Sequence, residues 1–245
     1  MVLSYLNYMR NIHFGNILNN EWKIVKKILI MKFRNIGDVL IVTPLIKNLK
    51  LNYPDAIIDI AVNSGTQEMI TLNPNVNDVI IYDRAKIKGL GFTGRIWAEI
   101  KFALDIRNKK YDMVINTTKG DRGAQLALAS GAKTKIGYEG GKNILTKNVF
   151  THILPPQELR HTLEMDLDSL RVLNLPIKEK KVEIFYSSSD EEIVDKLLIK
   201  NNVKQKKFIH IHAVSRWMFK CISDKTMAEL IDYCKNDLNK EIFLF

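Results

Sequence analysis

The stretch KILIMKFRNIGDVLIVTPLIKNLKLNYPDAIIDIAVN, Lys27 to Asn63, decides the fold. It opens on a short aliphatic run, Lys27–Phe33, with the length and composition of a strand buried on both faces. A turn follows at Asn35-Ile36-Gly37-Asp38. Val39, Val42, Leu45, Ile46 and Leu49 then recur at helical spacing, which predicts one helix running to about Leu51. Pro54 marks the next turn, and Ala56–Val62 is a second apolar run. Strand, helix and strand in that order make a βαβ unit, whose two strands are parallel.

Working outward, the rhythm repeats. Asp78–Tyr82 reads as a third strand and Thr93–Arg107 as a helix with Ile96, Ile100, Ala103 and Leu104 at helical spacing. Asp112–Thr117 is a fourth strand, Asp121–Ala129 a helix after the Gly120 turn, and Lys133–Gly137 a short fifth strand. Alternation of this kind is the signature of an α/β, Rossmann-like sheet. Pro155-Pro156 interrupts it, and Arg160–Leu175 is a further helix stopped by Pro176. The charge run Lys178–Lys181 reads as a solvated linker, and Ser189 with Glu192 reads as a capping box opening the next helix. The rhythm then restarts, with Phe208–His212 as strand, Asp224–Lys235 as helix and Glu241–Phe245 as strand. The expected organisation is an amino-terminal extension over residues 1–26, a Rossmann-like domain over 27–177, and a linker with the first part of a second, incomplete Rossmann-like domain over 178–245.

The composition, 46% hydrophobic and 26% charged, is that of a globular chain and excludes disordered, collagen-like and disulfide-framework classes. Lys and Arg total 37 against 27 acidic residues, a net charge of +10 that favours anionic partners. Cys221 and Cys234 have no CxxC or metal-ligand spacing and read as reduced thiols. Polar residues interrupt Met1–Lys26, so it lacks the apolar run of a secretory signal. The expectation is a cytoplasmic chain with no nucleic-acid role, since its basic residues are not interleaved with aromatics.

Ligands of open α/β sheets bind at the carboxyl ends of the strands. That rule singles out Arg34, Asn35 and Asp38 after the first strand, and Lys119 and Arg122 after the fourth. Asp38 has two readings, a helix cap answering the dipole or a carboxylate that takes a proton. Arg122, Arg34, Asn35 and Lys119 are either groups for an acidic ligand or solvated loop residues. Gly140-Gly141-Lys142 fails as a P-loop, because Ile136 stands at the first glycine position and Asn143 replaces Ser/Thr. His210 and His212 share a strand face but have no third ligand nearby in sequence, so no metal site is expected.

The segment Lys27–Asn63 resembles the start of the lipopolysaccharide-core heptosyltransferases, glycosyltransferase family nine. Thr118-Lys119-Gly120-Asp121-Arg122-Gly123, Arg160-His161-Thr162-Leu163-Glu164 and Ser215-Arg216-Trp217-Met218-Phe219-Lys220-Cys221 agree with it in the same order. The second and last of these four are most similar to the heptosyltransferase III branch. The chain departs from the family pattern at Ala213, where Pro is usual, and at Ile222, where Trp is usual.

The resemblance implies a GT-B fold and an inverting, metal-independent transfer of heptose from ADP-heptose, with no cofactor. It implies Asp38 as catalytic base. Lys220, Arg216 and Ser215 would be donor-phosphate ligands, and Arg34, Asn35, Lys119 and Arg122 acceptor contacts. The implied partners are ADP-heptose, a lipid-anchored inner-core oligosaccharide and the cytoplasmic face of the inner membrane. The absence of a later donor-binding segment reads as truncation of the second domain, with an inactive acceptor-binding remnant as the alternative.

Overall fold

The computed structural model describes residues 25–139, 146–156, 160–203, 207–215 and 217–244. The chain divides into two compact units, one ending at Phe185 and one spanning Tyr186–Phe245. The extension Met1–Lys26, apart from Val25 and Lys26, lies outside the described residues, as do Gly140-Gly141-Lys142 and Arg216.

Among the described residues, the first unit is built on six parallel strands. They are β1 (Lys27–Lys32), β2 (Ile57–Asn63), β3 (Asp78–Tyr82), β4 (Met113–Asn116), β5 (Thr134–Tyr138) and β6 (His152–Leu154), in the spatial order β3-β2-β1-β4-β5-β6. The chain therefore builds outward from β1 in one direction and then, from β4, in the other. The crevice between β1 and β4 is the switch point of the topology. Alternate residues of β1 fill two cores. Ile28 and Ile30 pack with Val39, Val42, Ile46 and Leu167, while Leu29 and Met31 pack with Ile106, Ala124 and Ala127. A strand with cover on both faces must be apolar on both, which is why β1 reads as a continuous apolar run.

The single helix expected after β1 is two, α1 (Ile36–Ile41) and α2 (Thr43–Asn52). Pro44 is the cause: it has no N–H to give to the Leu40 carbonyl. The Thr43 hydroxyl donates to that carbonyl instead, at 2.9 Å. The face expected to be apolar is kept through the break, with Val39, Val42, Leu45, Ile46 and Leu49 all buried. The other described α-helices of the unit are α3 (Arg84–Gly89), α4 (Phe92–Asn108), α5 (Asp121–Ala129) and α6 (Thr162–Arg171). Strand β6 was not expected from the sequence, because three residues ahead of a Pro-Pro pair give no periodicity to read.

Lys178–Lys181 is not a free linker. The Asn48 side chain accepts from the N–H groups of Lys178 and Glu179, at 2.6 and 3.1 Å, and donates back to the Glu179 carbonyl. Lys180 bonds Glu164 at 2.8 Å. Residues 178–185 accordingly group with the first unit.

The second unit has α7 (Ser188–Lys200), β7 (Phe208–Ile211), α8 (Asp224–Asn236) and β8 (Glu241–Leu244), with β7 and β8 parallel. Its first helix is capped two residues earlier than expected. Ser187 accepts from the Asp190 N–H, and Asp190 accepts from the Ser187 N–H at 2.8 Å. Phe208 and Phe243 meet edge to face across the strand pair, 5.1 Å between centroids. Among the described residues of this unit, Leu198 and Cys234 are the buried hydrophobics.

Candidate functional site

The site is assembled at the carboxyl edge of the first sheet, where the loops after β1 and β4 are tied together. The Phe33 N–H donates to Thr118 Oγ1 at 3.1 Å, and Thr117 N–H donates to the Met31 carbonyl at 3.2 Å. Asp38 therefore stands in the switch-point crevice, in the first turn of α1. Its two readings are compatible. Asp38 Oδ2 accepts a long 3.4 Å bond from the Asn35 N–H, which answers the helix start, while Oδ1 makes no hydrogen bond among the described residues. The carboxylate is half-buried. One oxygen is held by the cap and the other is not.

Beneath it lies a buried ion pair absent from the sequence-derived candidates. Lys32, the last residue of β1, places Nζ 2.8 Å from both carboxylate oxygens of Asp166 on α6. Both side chains are almost wholly buried. Burial pushes the Asp166 carboxyl up to about 6 despite the opposing pull of Lys32 and a hydrogen bond from Thr117, and the charge of nearby Asp38 adds to the rise. No sequence signal pairs residues 134 positions apart. The clue available was a lysine closing an otherwise apolar strand, since buried lysines need partners.

The GDRG turn has a steric logic. Gly120 has φ of +120°, a conformation open to glycine, and starts α5. Gly123 faces the Asn116 side chain so closely that a Cβ there would come within 2.2 Å of its amide. Asn116 in turn braces the loop, donating to the Thr118 carbonyl at 2.9 Å and accepting from the Thr118 N–H at 3.2 Å. Arg122 is occupied within the protein. Its guanidinium lies 4.1 Å from the centroid of the Tyr82 ring and 3.1 Å from Glu99 Oε1. Tyr82 also donates to Glu99, and burial with that bond pushes its phenol up to about 12. Lys119 Nζ sits over the Tyr138 ring at 5.7 Å. Arg34 and Asn35 are exposed, and the Arg34 carbonyl accepts from Asn63 Nδ2 at 3.3 Å.

The side chains of His161 and Glu164, one turn apart, do not bond each other, although the Glu164 N–H donates to the His161 carbonyl at 3.0 Å. His161 Nδ1 accepts from the Leu163 N–H as the cap of α6. Glu164 bonds Arg171 and Lys180, which hold its carboxyl below the usual range.

In the second unit, Lys220 ends a short 3-10 turn, Met218–Lys220. Cys221 closes that turn, its Sγ accepting from the Ser215 N–H at 3.2 Å, and Ser215 Oγ accepts from the Trp217 N–H at 3.4 Å. Ser215 and Lys220 are thus brought to one loop. Trp217, Met218 and Phe219 are all exposed, as is Lys220, whose Nζ lies 5.9 Å from the Phe219 centroid. His210 and His212 are exposed. Among the described residues no cluster of three His, Cys, Asp or Glu has the geometry to hold a metal ion. None of the described helices is long and apolar enough to cross a membrane.

The fold is similar to the GT-B-type fold of solved family-nine glycosyltransferases. The family-nine glycosyl transferase of Veillonella parvula superposes with a TM-score of 0.77 at 21% identity, over 90% of this chain and 62% of that one. The Escherichia coli heptosyltransferase WaaC, solved with ADP-2-deoxy-2-fluoro heptose, gives 0.68 at 18% identity, over 89% and 68%. In sequence, the chain is 28% identical to lipopolysaccharide heptosyltransferase 3 of E. coli over 198 residues, 80% of this chain and 57% of the relative. It is 23% identical to the lipopolysaccharide core heptosyltransferase OpsX of Haemophilus influenzae, over 71% of this chain and 48% of the relative. The chain thus spans about half the length of the curated relatives it matches. No family model matches it. The resemblance to heptosyltransferases, the third kind among them, is borne out by these relatives.

Proposed function

We propose that the chain is a glycosyltransferase sequence for lipopolysaccharide-core assembly, moving heptose from ADP-heptose to an inner-core acceptor. What supports this above all is the likeness to heptosyltransferase 3 over 198 residues, joined to a half-buried carboxylate at the switch point of the sheet. The transfer is inverting and needs no metal or cofactor. Asp38 accepts the proton of the acceptor hydroxyl through its unbonded oxygen as that hydroxyl forms a bond to the anomeric carbon. The bond from that carbon to the diphosphate oxygen breaks on the opposite face, and ADP leaves. Lys220, with Ser215 and Arg216 of the same segment, offsets the charge growing on the diphosphate. Arg34, Asn35 and Lys119 meet an acidic acceptor in this reading. Arg122 serves it only by sharing a guanidinium already engaged with Glu99 and Tyr82. The acceptor is lipid-anchored, at the cytoplasmic face of the inner membrane.

The test is mass-spectrometric detection of heptose added to a heptose-deficient core acceptor by the folded chain. Transfer is expected with the natural residue and a drop of about 10²–10⁴-fold with Asp38→Asn. Folded protein that binds the acceptor and adds no heptose would make the chain an acceptor-binding module instead.

A further inference from the structure

Helix α4 has two apolar faces, and its fold uses one. Phe102, Ala103 and Ile106 pack into the core beneath the sheet. A second row, Ile96, Trp97, Ile100 and Leu104, follows the helical period about a quarter-turn or more away and is exposed, as is Phe92 at the helix start. Trp97 is 70% and Phe92 78% exposed. Helical spacing predicted this helix correctly, but the row it was read from is largely the one left in solvent.

The charge around that row is as unusual as its exposure. Between Arg84 and Lys110 the chain carries eight Lys and Arg against two acids, Glu99 and Asp105. With Asp83, which caps α3, counted as well, five of the ten net positive charges of the whole chain fall on α3 and α4 and their immediate flanks. One of the two acids is already neutralised, since Glu99 pairs with Arg122. Arg84, Lys86, Lys88, Arg95 and Lys101 are all exposed. Lys109 pairs with Asp78. An apolar row with aromatic residues beside dense positive charge is the pattern of a surface helix that lies in an anionic bilayer interface. A protein partner would need matching apolar and acidic surface. A bilayer containing acidic lipid supplies both at once.

We propose that the exposed face of α4, with α3 beside it, is a membrane-docking surface for acidic phospholipid. Trp97, Ile96, Ile100 and Leu104 enter the interface, and Lys86, Lys88 and Lys101 meet the lipid phosphates. This assignment does not depend on which sugar, if any, is transferred.

Co-sedimentation of the full chain with vesicles tests it, using phosphatidylcholine alone and phosphatidylcholine containing phosphatidylglycerol. Binding is expected with the acidic vesicles alone and is lost as salt is raised. Trp97→Ser/Ile100→Asn, and separately Lys86→Gln/Lys88→Gln/Lys101→Gln, should each weaken it by about tenfold or more. These side chains are exposed, so thermal melts should match the parent and separate docking from folding. In a Trp22→Phe/Trp217→Phe background, brominated lipid should quench the remaining Trp97. Equal binding by parent and both variants, or no binding to acidic vesicles, would overturn the proposal. So would a dimer in sedimentation velocity that Trp97→Ser/Ile100→Asn dissociates without lipid, which would give the face to a second copy of the chain.

Discussion

The two units repeat the same strand-helix-strand rhythm and reach opposite degrees of burial. In the first, β1 lies between two layers of helix and its residues from Ile28 to Lys32 are buried. In the second, β7 and β8 pair only with each other among the described residues, and no residue of either is buried. Apolar pattern sets which element forms. How much that element stabilises is set by what covers it, because the hydrophobic contribution follows area removed from water.

Substitutions should expose this contrast, most strongly at the ion pair. Lys32→Met strands Asp166 in the core and should cost about 3–5 kcal/mol, whereas Lys32→Met/Asp166→Leu should recover most of it. Urea unfolding of both variants checks this, and equal loss in the two would show that packing rather than charge is at stake. Next in size, Ile46→Ala should cost about 2–5 kcal/mol and Ile209→Ala of β7 under about 1 kcal/mol. Similar midpoints for the two would break the comparison, since it would mean that β7 is as well covered as the first core.

The smallest effect is a slope with pH. Asp166 has a folded pKa raised to about 6, above the usual carboxylate value. In the window between them the folded state holds more protons than the unfolded one. The stability this group contributes is therefore complete below the unfolded value and is lost as pH rises through about 6. The parent should lose stability across that window relative to Lys32→Met/Asp166→Leu, whose curve should be flatter. Parallel curves would place the Asp166 titration elsewhere.

The first unit was more legible than the second, for the same reason. Where both faces of a strand are covered, the apolar run is long and unbroken, and β1 to β5 were read within a residue or two. The cap of α7 was misplaced because Ser187-Ser188-Ser189 and Asp190-Glu191-Glu192 offer three registers for one motif. Lys178–Lys181 was read as linker because charge reports where side-chain ends go. It says nothing of backbone N–H groups, which here bond Asn48. At the site, Asp38 was found from its position after β1, and Lys32–Asp166 was not, because a pair joined across two elements leaves no local trace. The exposed row of α4 shows the converse: spacing identifies a helix and is silent on which side meets the core.

The glycines of the GDRG turn have a consequence for anyone reshaping this edge. Gly120 is fixed by its backbone angle and Gly123 by the amide of Asn116, whose two bonds to residue 118 give the loop its shape. Between them, positions 121 and 122 are held by no such constraint of space. A library aimed at reshaping this edge would place its diversity there and at 119, and leave the two glycines and Asn116 as the frame of the mould.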